Sequence, residues 1–244
     1  MNSILLLPII IVGVILIGLI LKKKSFLINF TGEQHQHYVE KNNIPLTGGL
    51  LLLLSFFLIF KDYSNIFLIA LFIIFFLGLM SDLKVLVSPT GRLFLQIFFI
   101  IIFVYVESIQ LTSTRILILD FFLSYSLINY LFVGLCFLII INGTNFIDGL
   151  DTLALGYYFL VTFFIYNLKL YEFLPLSILG ISLLLIVMFC AYILNIFKVF
   201  FIGDNGSYLL GFTYGFLMLT IYINESDISP FFVVLLLWYP CFEN

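Results

Sequence analysis

Long apolar runs recur along the chain, and each is ended by a short polar break. The spacing predicts helices at about Ile4–Leu21, Leu46–Phe60, Ile66–Met80, Leu93–Glu107, Phe121–Ile141, Thr152–Leu168, Leu174–Phe197, Tyr208–Ile223 and Ser229–Phe242. No run alternates apolar and polar residues as a half-buried strand would. The expected fold class is therefore all-α: a polytopic membrane helix bundle of about nine transmembrane helices. No internal repeat or low-complexity linker divides the chain, so residues 1–244 read as a single integral membrane domain.

Composition removes the soluble alternative. Hydrophobic residues make up 64% of the 244 residues and charged residues only 9%, with a mean hydropathy of +1.26. A soluble domain has about a quarter of its residues charged, so lipid must be the solvent for most of this surface. No basic patch for nucleic acid is present. Cys136, Cys190 and Cys241 lie in or at the end of apolar runs, without the C-x-x-C spacing of a metal or redox site. The first run is followed by Lys22, Lys23 and Lys24 and by no small-residue cleavage site, which fits a retained helix rather than a signal peptide.

Charge then supplies an orientation. If each helix crosses the bilayer, the loops after odd-numbered helices share one side. They hold Lys22, Lys23, Lys24, Lys41, Lys84, Arg92 and Lys198, against Lys61, Arg115 and Lys169 on the other side. The positive-inside bias places the richer side in the cytoplasm. The same side carries four polar segments: Pro45–Gly49, Ser81-Asp82, Asn142–Asp151 and Phe201–Ser207. Topology alone brings them to one face.

These segments have oxygen-rich chemistry. Asn145, Asp148 and Asp151 follow one another at i, i+3 and i+6, so a helical segment would keep the first two on one face. Asp204 stands between Gly203 and Gly206 at a predicted helix start, where free backbone N–H groups attract phosphate. Asp82 ends the third predicted helix, with Lys84 and Arg92 nearby. Carboxylates beside apolar helices are costly unless a cation or ligand compensates them. A capped helix end is the structural alternative for each. Hard oxygen donors suit Mg²⁺, with Mn²⁺ as the alternative, rather than Zn²⁺. His35 and His37, two residues apart, have no third ligand nearby and read as solvated loop residues. The chain contains no Walker loop and no Ser-His-Asp set, so phosphoryl transfer by positioning and charge neutralisation is the expected chemistry. A transporter or channel is the competing reading, and it requires charges near mid-bilayer.

In these motifs the chain resembles the polyprenyl-phosphate N-acetylhexosamine-1-phosphate transferases of glycosyltransferase family 4. Pro45–Gly49, Gly78–Gln96, Asn142–Gly156 and Phe201–Gly211 carry the resemblance, in family order. The Gly78–Lys84 stretch, Ser88-Pro89 and Arg92-Leu93 are nearer the branch that uses simple UDP-N-acetylhexosamines than the peptidoglycan branch. The resemblance implies transfer of a sugar-1-phosphate from a UDP-sugar to undecaprenyl phosphate, releasing UMP, for cell-envelope polysaccharide synthesis. It implies a site on the cytoplasmic face of the bacterial inner membrane, with a homodimer as a possible assembly. By resemblance, Asp204 is the Mg²⁺ ligand, and Asp82, Asp148 and Asp151 are catalytic. Lys41, Gly48, Gly49, Lys84, Asn142, Asn145, Phe201 and Gly203 line the substrate pocket, with Phe201 on uracil. The chain departs from the family in having Ser81 where a second aspartate is usual, and Thr152 where glycine is usual. It stops at Asn244, short of the expected histidine-rich loop and last helix, so a C-terminally incomplete copy or an inactive remnant is the alternative. The signature of CDP-alcohol phosphatidyltransferases is absent, since no arginine follows Asp148-Gly149.

Overall fold

A computed structural model describes residues 3–28, 43–148, 152–225 and 227–242. His35, His37, Lys41 and Asp151 lie outside the described residues. The described chain is helical: α1 (Ser3–Lys23), α2 (Gly48–Ile59), α3 (Asn65–Asp82), α4 (Pro89–Val106), α5 (Leu117–Leu123), α6 (Ser126–Asp148), α7 (Leu153–Asn167), α8 (Ile178–Ile196), α9 (Gly203–Asn224), α10 (Pro230–Leu236) and α11 (Trp238–Phe242). Among the described residues, six helices, α1, α3, α4, α6, α8 and α9, are long and apolar enough to cross a membrane, while α2 and α7 are shorter apolar helices.

The differences from the predicted elements have local causes. Helix α4 starts at Pro89, four residues early, because Ser88 caps it by accepting from the Gly91 N–H and proline suits the first helical position. The predicted helix Phe121–Ile141 is two elements, since α5 ends at Leu123 and α6 begins at Ser126. Helix α6 then runs through the expected loop as far as Asp148. Its polar residues find partners inside the bundle: the Asn142 amide donates to Gln96 Oε1 and to the Leu138 carbonyl, both at 2.9 Å. The last predicted helix breaks at Leu237 into α10 and α11, each too short to span.

Helix α9 is the axis of the bundle, packed against α2, α3 and α6. It is rich in small residues, and Gly211 and Gly215 form a small-x-x-x-small face that lets α6 approach closely. A Cβ on Gly211 would stand 2.7 Å from the Ile141 Cα. Away from that face, aromatic rings fill the space. Phe67 of α3 stacks on Phe216 with ring centroids 4.3 Å apart, and Phe103 of α4 meets Phe212 edge-on at 4.9 Å. Lipid tails are as apolar as these side chains, so close packing rather than escape from water holds such helices together.

Each end of the bundle is knitted separately. At one end the Ser64 hydroxyl donates to Glu107, Arg115 donates to the Asp227 and Ile228 carbonyls, and Tyr222 donates to the Ser113 carbonyl. Buried Asn129 ties the α4–α5 connection to the first turn of α6. It accepts from the Leu111 N–H at 2.9 Å and donates to the Leu111 and Leu123 carbonyls at 2.8 Å. Asn129→Ala leaves three backbone groups without partners, at a cost of about 1–3 kcal/mol. A thermal melt in detergent should show the loss as a lower melting temperature. The ends of α3, α6 and α8 and the starts of α2, α4 and α9 meet at that opposite end, which agrees with the side assigned to the odd loops.

Candidate functional site

The first turn of α9 is the centre of that polar end. An α-helix begins with N–H groups that have no partner within the helix. Here a side chain from another helix supplies partners. Asp82, the last residue of α3, accepts from the Asp204 N–H through Oδ1 at 2.9 Å and from the Asn205 N–H through Oδ2 at 3.0 Å. The Asn205 side-chain amide also donates to Asp82 Oδ2. The expectation of a free helix N-terminus for phosphate is therefore corrected, because Asp82 already fills it. Gly203 permits the arrangement. Its φ is +65°, and a Cβ there would come 2.8 Å from Asp82 Oδ2.

Asp204 faces away from this cap and is met from three helices. Its Oδ1 accepts from the Asn145 amide of α6 at 2.8 Å. Its Oδ2 accepts from Arg92 Nη1 of α4 at 3.0 Å and from the Ser81 hydroxyl of α3. Arg92 also donates to Ser81 Oγ at 2.7 Å, closing a three-membered ring of contacts. Tyr208, one turn along α9, is a further neighbour of Arg92. The Arg92 and Asp204 side chains are each 27% exposed, so a solute can reach the pair.

The other expected site residues fall into distinct places. Gly48 and Gly49 lie where α2 crosses the start of α9. A Cβ on Gly48 would be 2.8 Å from Phe200 and Ile202 side-chain atoms, and one on Gly49 would be 2.6 Å from the Gly206 nitrogen. Their smallness is used by helix packing. Phe201 links the two helix entries through its backbone: it donates to the Pro45 carbonyl and accepts from the Gly48 N–H, both at 3.0 Å. Asn142 lies one turn below Asn145 and pairs with buried Gln96. Asp148 ends α6, one turn beyond Asn145, and is half-buried. Lys84 is exposed and terminates α3 with φ +59°, its N–H donating to the Ser81 carbonyl at 2.8 Å.

Three contributors were not singled out from sequence. Asn205 is 1% exposed and holds Asp82 in place, yet an amide beside a carboxylate gives no charge signal. Gly78 lets α3 lie against the α9 backbone, since a Cβ there would be 2.6 Å from the Asn205 nitrogen. Ser81, noted only as a lost carboxylate, links Arg92 to Asp204.

Residues 64–222, more than half of the chain, match the model of glycosyl transferase family 4. The chain belongs to that family. No curated protein matches it. The matched stretch contains Ser81, Asp82, Arg92, Asn145, Asp148 and Asp204, while Gly48 and Gly49 precede it. Family 4 membership makes the chain a membrane-embedded transferase, of the general class that acts on a polyprenyl phosphate and a sugar donor.

Proposed function

We propose that this family 4 protein transfers an N-acetylhexosamine-1-phosphate from a UDP-sugar to undecaprenyl phosphate, at the cytoplasmic face of a bacterial inner membrane, for cell-envelope polysaccharide synthesis. A phosphate oxygen of the lipid attacks the β-phosphorus of the donor. The bond from that phosphorus to the bridging oxygen breaks, and UMP leaves with the electron pair. Undecaprenyl-diphospho-sugar is the other product.

The observation that carries this reading is Asp204, partly exposed at a helix start and gripped by Asn145, Ser81 and Arg92 from three other helices. Its donor chemistry fits Mg²⁺, with Mn²⁺ as a substitute. The carboxylate is a hard oxygen ligand, and Mg²⁺ is commonly held by one or two carboxylates together with substrate phosphates. Among the described residues no three His, Cys, Asp or Glu side chains converge, so Asp204 is the carboxylate offered to a metal here. Bound there, Mg²⁺ would neutralise charge developing on the diphosphate.

The remaining work belongs to the protein's own groups. Asn145 fixes the rotation of the Asp204 carboxylate. Asp82 uses both oxygens on the start of α9, which supports a positioning role more than proton removal. Arg92 and Lys84 supply cations for the phosphates, and Asp148 stands one turn beyond Asn145 at the end of α6. The acids at helix ends also argue against transport: Asp82 and Asp148 are the last residues of their helices and Asp204 the second of its own. A conduction path would need them near mid-span.

The test is a membrane assay with undecaprenyl phosphate, Mg²⁺ and a panel of UDP-sugars labelled in the sugar. UMP release with label entering the lipid is expected for at least one N-acetylhexosamine donor. Absence of transfer from every donor, beside an active family member, would establish an inactive remnant.

A further inference from the structure

Asp204 is engaged in a way that bears on how the site loads. Its Oδ2 accepts from a guanidinium, so the carboxylate charge is already neutralised by a group of the protein itself. Arginine does not deprotonate in proteins. A divalent cation and the guanidinium therefore compete for one oxygen, and each repels the other at that distance. Ser81 reinforces the pairing, since it accepts from Arg92 and donates to the same Asp204 oxygen. A carboxylate at position 81 would instead add charge that attracts a metal.

The location of Arg92 also works against its remaining on Asp204 permanently. It lies in the first turn of α4, after the cap Ser88 and the first residue Pro89. The helix dipole disfavours a cation at that end. The side chain remains partly exposed and can be drawn off. Diphosphate is the ligand best able to do so, because a guanidinium binds phosphate oxygens with two parallel hydrogen bonds.

Building on the transfer reaction above, we propose that Arg92 is a built-in placeholder for the divalent cation. It holds Asp204 until the diphosphate of a nucleoside diphosphate donor draws it away. That single movement gives the diphosphate a ligand and leaves the Asp204 carboxylate open to the metal. Donor and metal then bind with positive coupling, and the carboxylate remains neutralised throughout.

The experiment uses the full chain in lipid nanodiscs, with Mn²⁺ as the probe and its electron paramagnetic resonance signal as the measure of free ion. Without nucleotide, Arg92→Gln should bind Mn²⁺ roughly 10-fold more tightly than the unmodified protein, within the usual range of coupling between sites. Arg92→Lys, which keeps the charge, should stay near the unmodified affinity. With metal removed by chelation, equilibrium dialysis of labelled UDP should show roughly 10-fold weaker binding to Arg92→Gln. Equal or weaker Mn²⁺ binding by Arg92→Gln would overturn the placeholder, provided that Asp204→Asn loses the Mn²⁺ site. If Asp204→Asn binds Mn²⁺ as well as the unmodified protein does, the metal assignment fails and the placeholder with it. Transfer of labelled sugar phosphate is read separately, so the reaction can stand when the placeholder falls. A melting temperature for each variant confirms that the bundle is folded.

Discussion

Asp204→Asn should reduce sugar-phosphate transfer by roughly 10³-fold, the scale on which a single charge-stabilising group acts in phosphoryl transfer. The replacement keeps the size of the side chain, removes its charge and turns one acceptor oxygen into a donor NH2. Two energies decide how the result is read. A 10³-fold loss corresponds to about 4 kcal/mol of transition-state stabilisation. The ion pair with Arg92 is partly exposed, and such pairs contribute about 0–1 kcal/mol to folding. Activity should therefore collapse while the melting temperature hardly changes. Label transfer and a thermal melt on one preparation measure both. Activity within 10-fold of the unmodified protein would remove Asp204 from the centre of the chemistry.

Gly78→Leu should act through the fold. A Cβ at position 78 would stand 2.6 Å from the Asn205 nitrogen, and that neighbour is backbone rather than a movable side-chain tip. Relief requires α3 and α9 to separate, which pulls Asp82 off the Asp204 and Asn205 N–H groups. Overpacking costs about 1–3 kcal/mol, and the loss of partners for the Asp204 and Asn205 N–H groups adds to it. A lower melting temperature and loss of transfer are expected together. Gly134→Ala is the control, because its Cβ would meet Ile101 at an ordinary 3.5 Å. It should leave both properties unchanged. A Gly78→Leu protein that melts like the unmodified one would mean that α3 and α9 do not pack as described.

Much of this architecture is legible in the sequence because the bilayer imposes strong rules. Long apolar runs must be helices, since lipid offers no partners to the backbone. The alternation of sides then brings Ser81-Asp82, Asn145 and Asp204 to one end before any packing is known. What escapes is set by contacts between helices. The continuation of α6 to Asp148 depends on Gln96 of α4 meeting Asn142. The break at Leu237, by contrast, has a cause in the sequence: Pro240 has no N–H for the Leu236 carbonyl, which accepts from the Tyr157 hydroxyl instead.

Within the site, the sequence marks acids but not their duties. Apart from what the resemblance implies, Asp82 and Asp204 read alike as carboxylates at helix ends. Only the structure separates them, one facing two backbone N–H groups and the other a guanidinium, an amide and a hydroxyl. The resemblance puts Gly48 and Gly49 in the substrate pocket, whereas the space beside them is filled by the start of α9. Asn205 gave no signal because its role is to orient another side chain.

The most direct test follows two labels from one donor. A UDP-sugar carrying ³²P at the β-phosphate and ³H in the sugar is given to membranes containing the protein and undecaprenyl phosphate. Both labels should enter the lipid product in the donor's own ratio, with unlabelled UMP released. Tritium entering the lipid while ³²P stays with the nucleotide would mean that the sugar moves without its phosphate, and would contradict the reaction assigned to Asp204 and its neighbours.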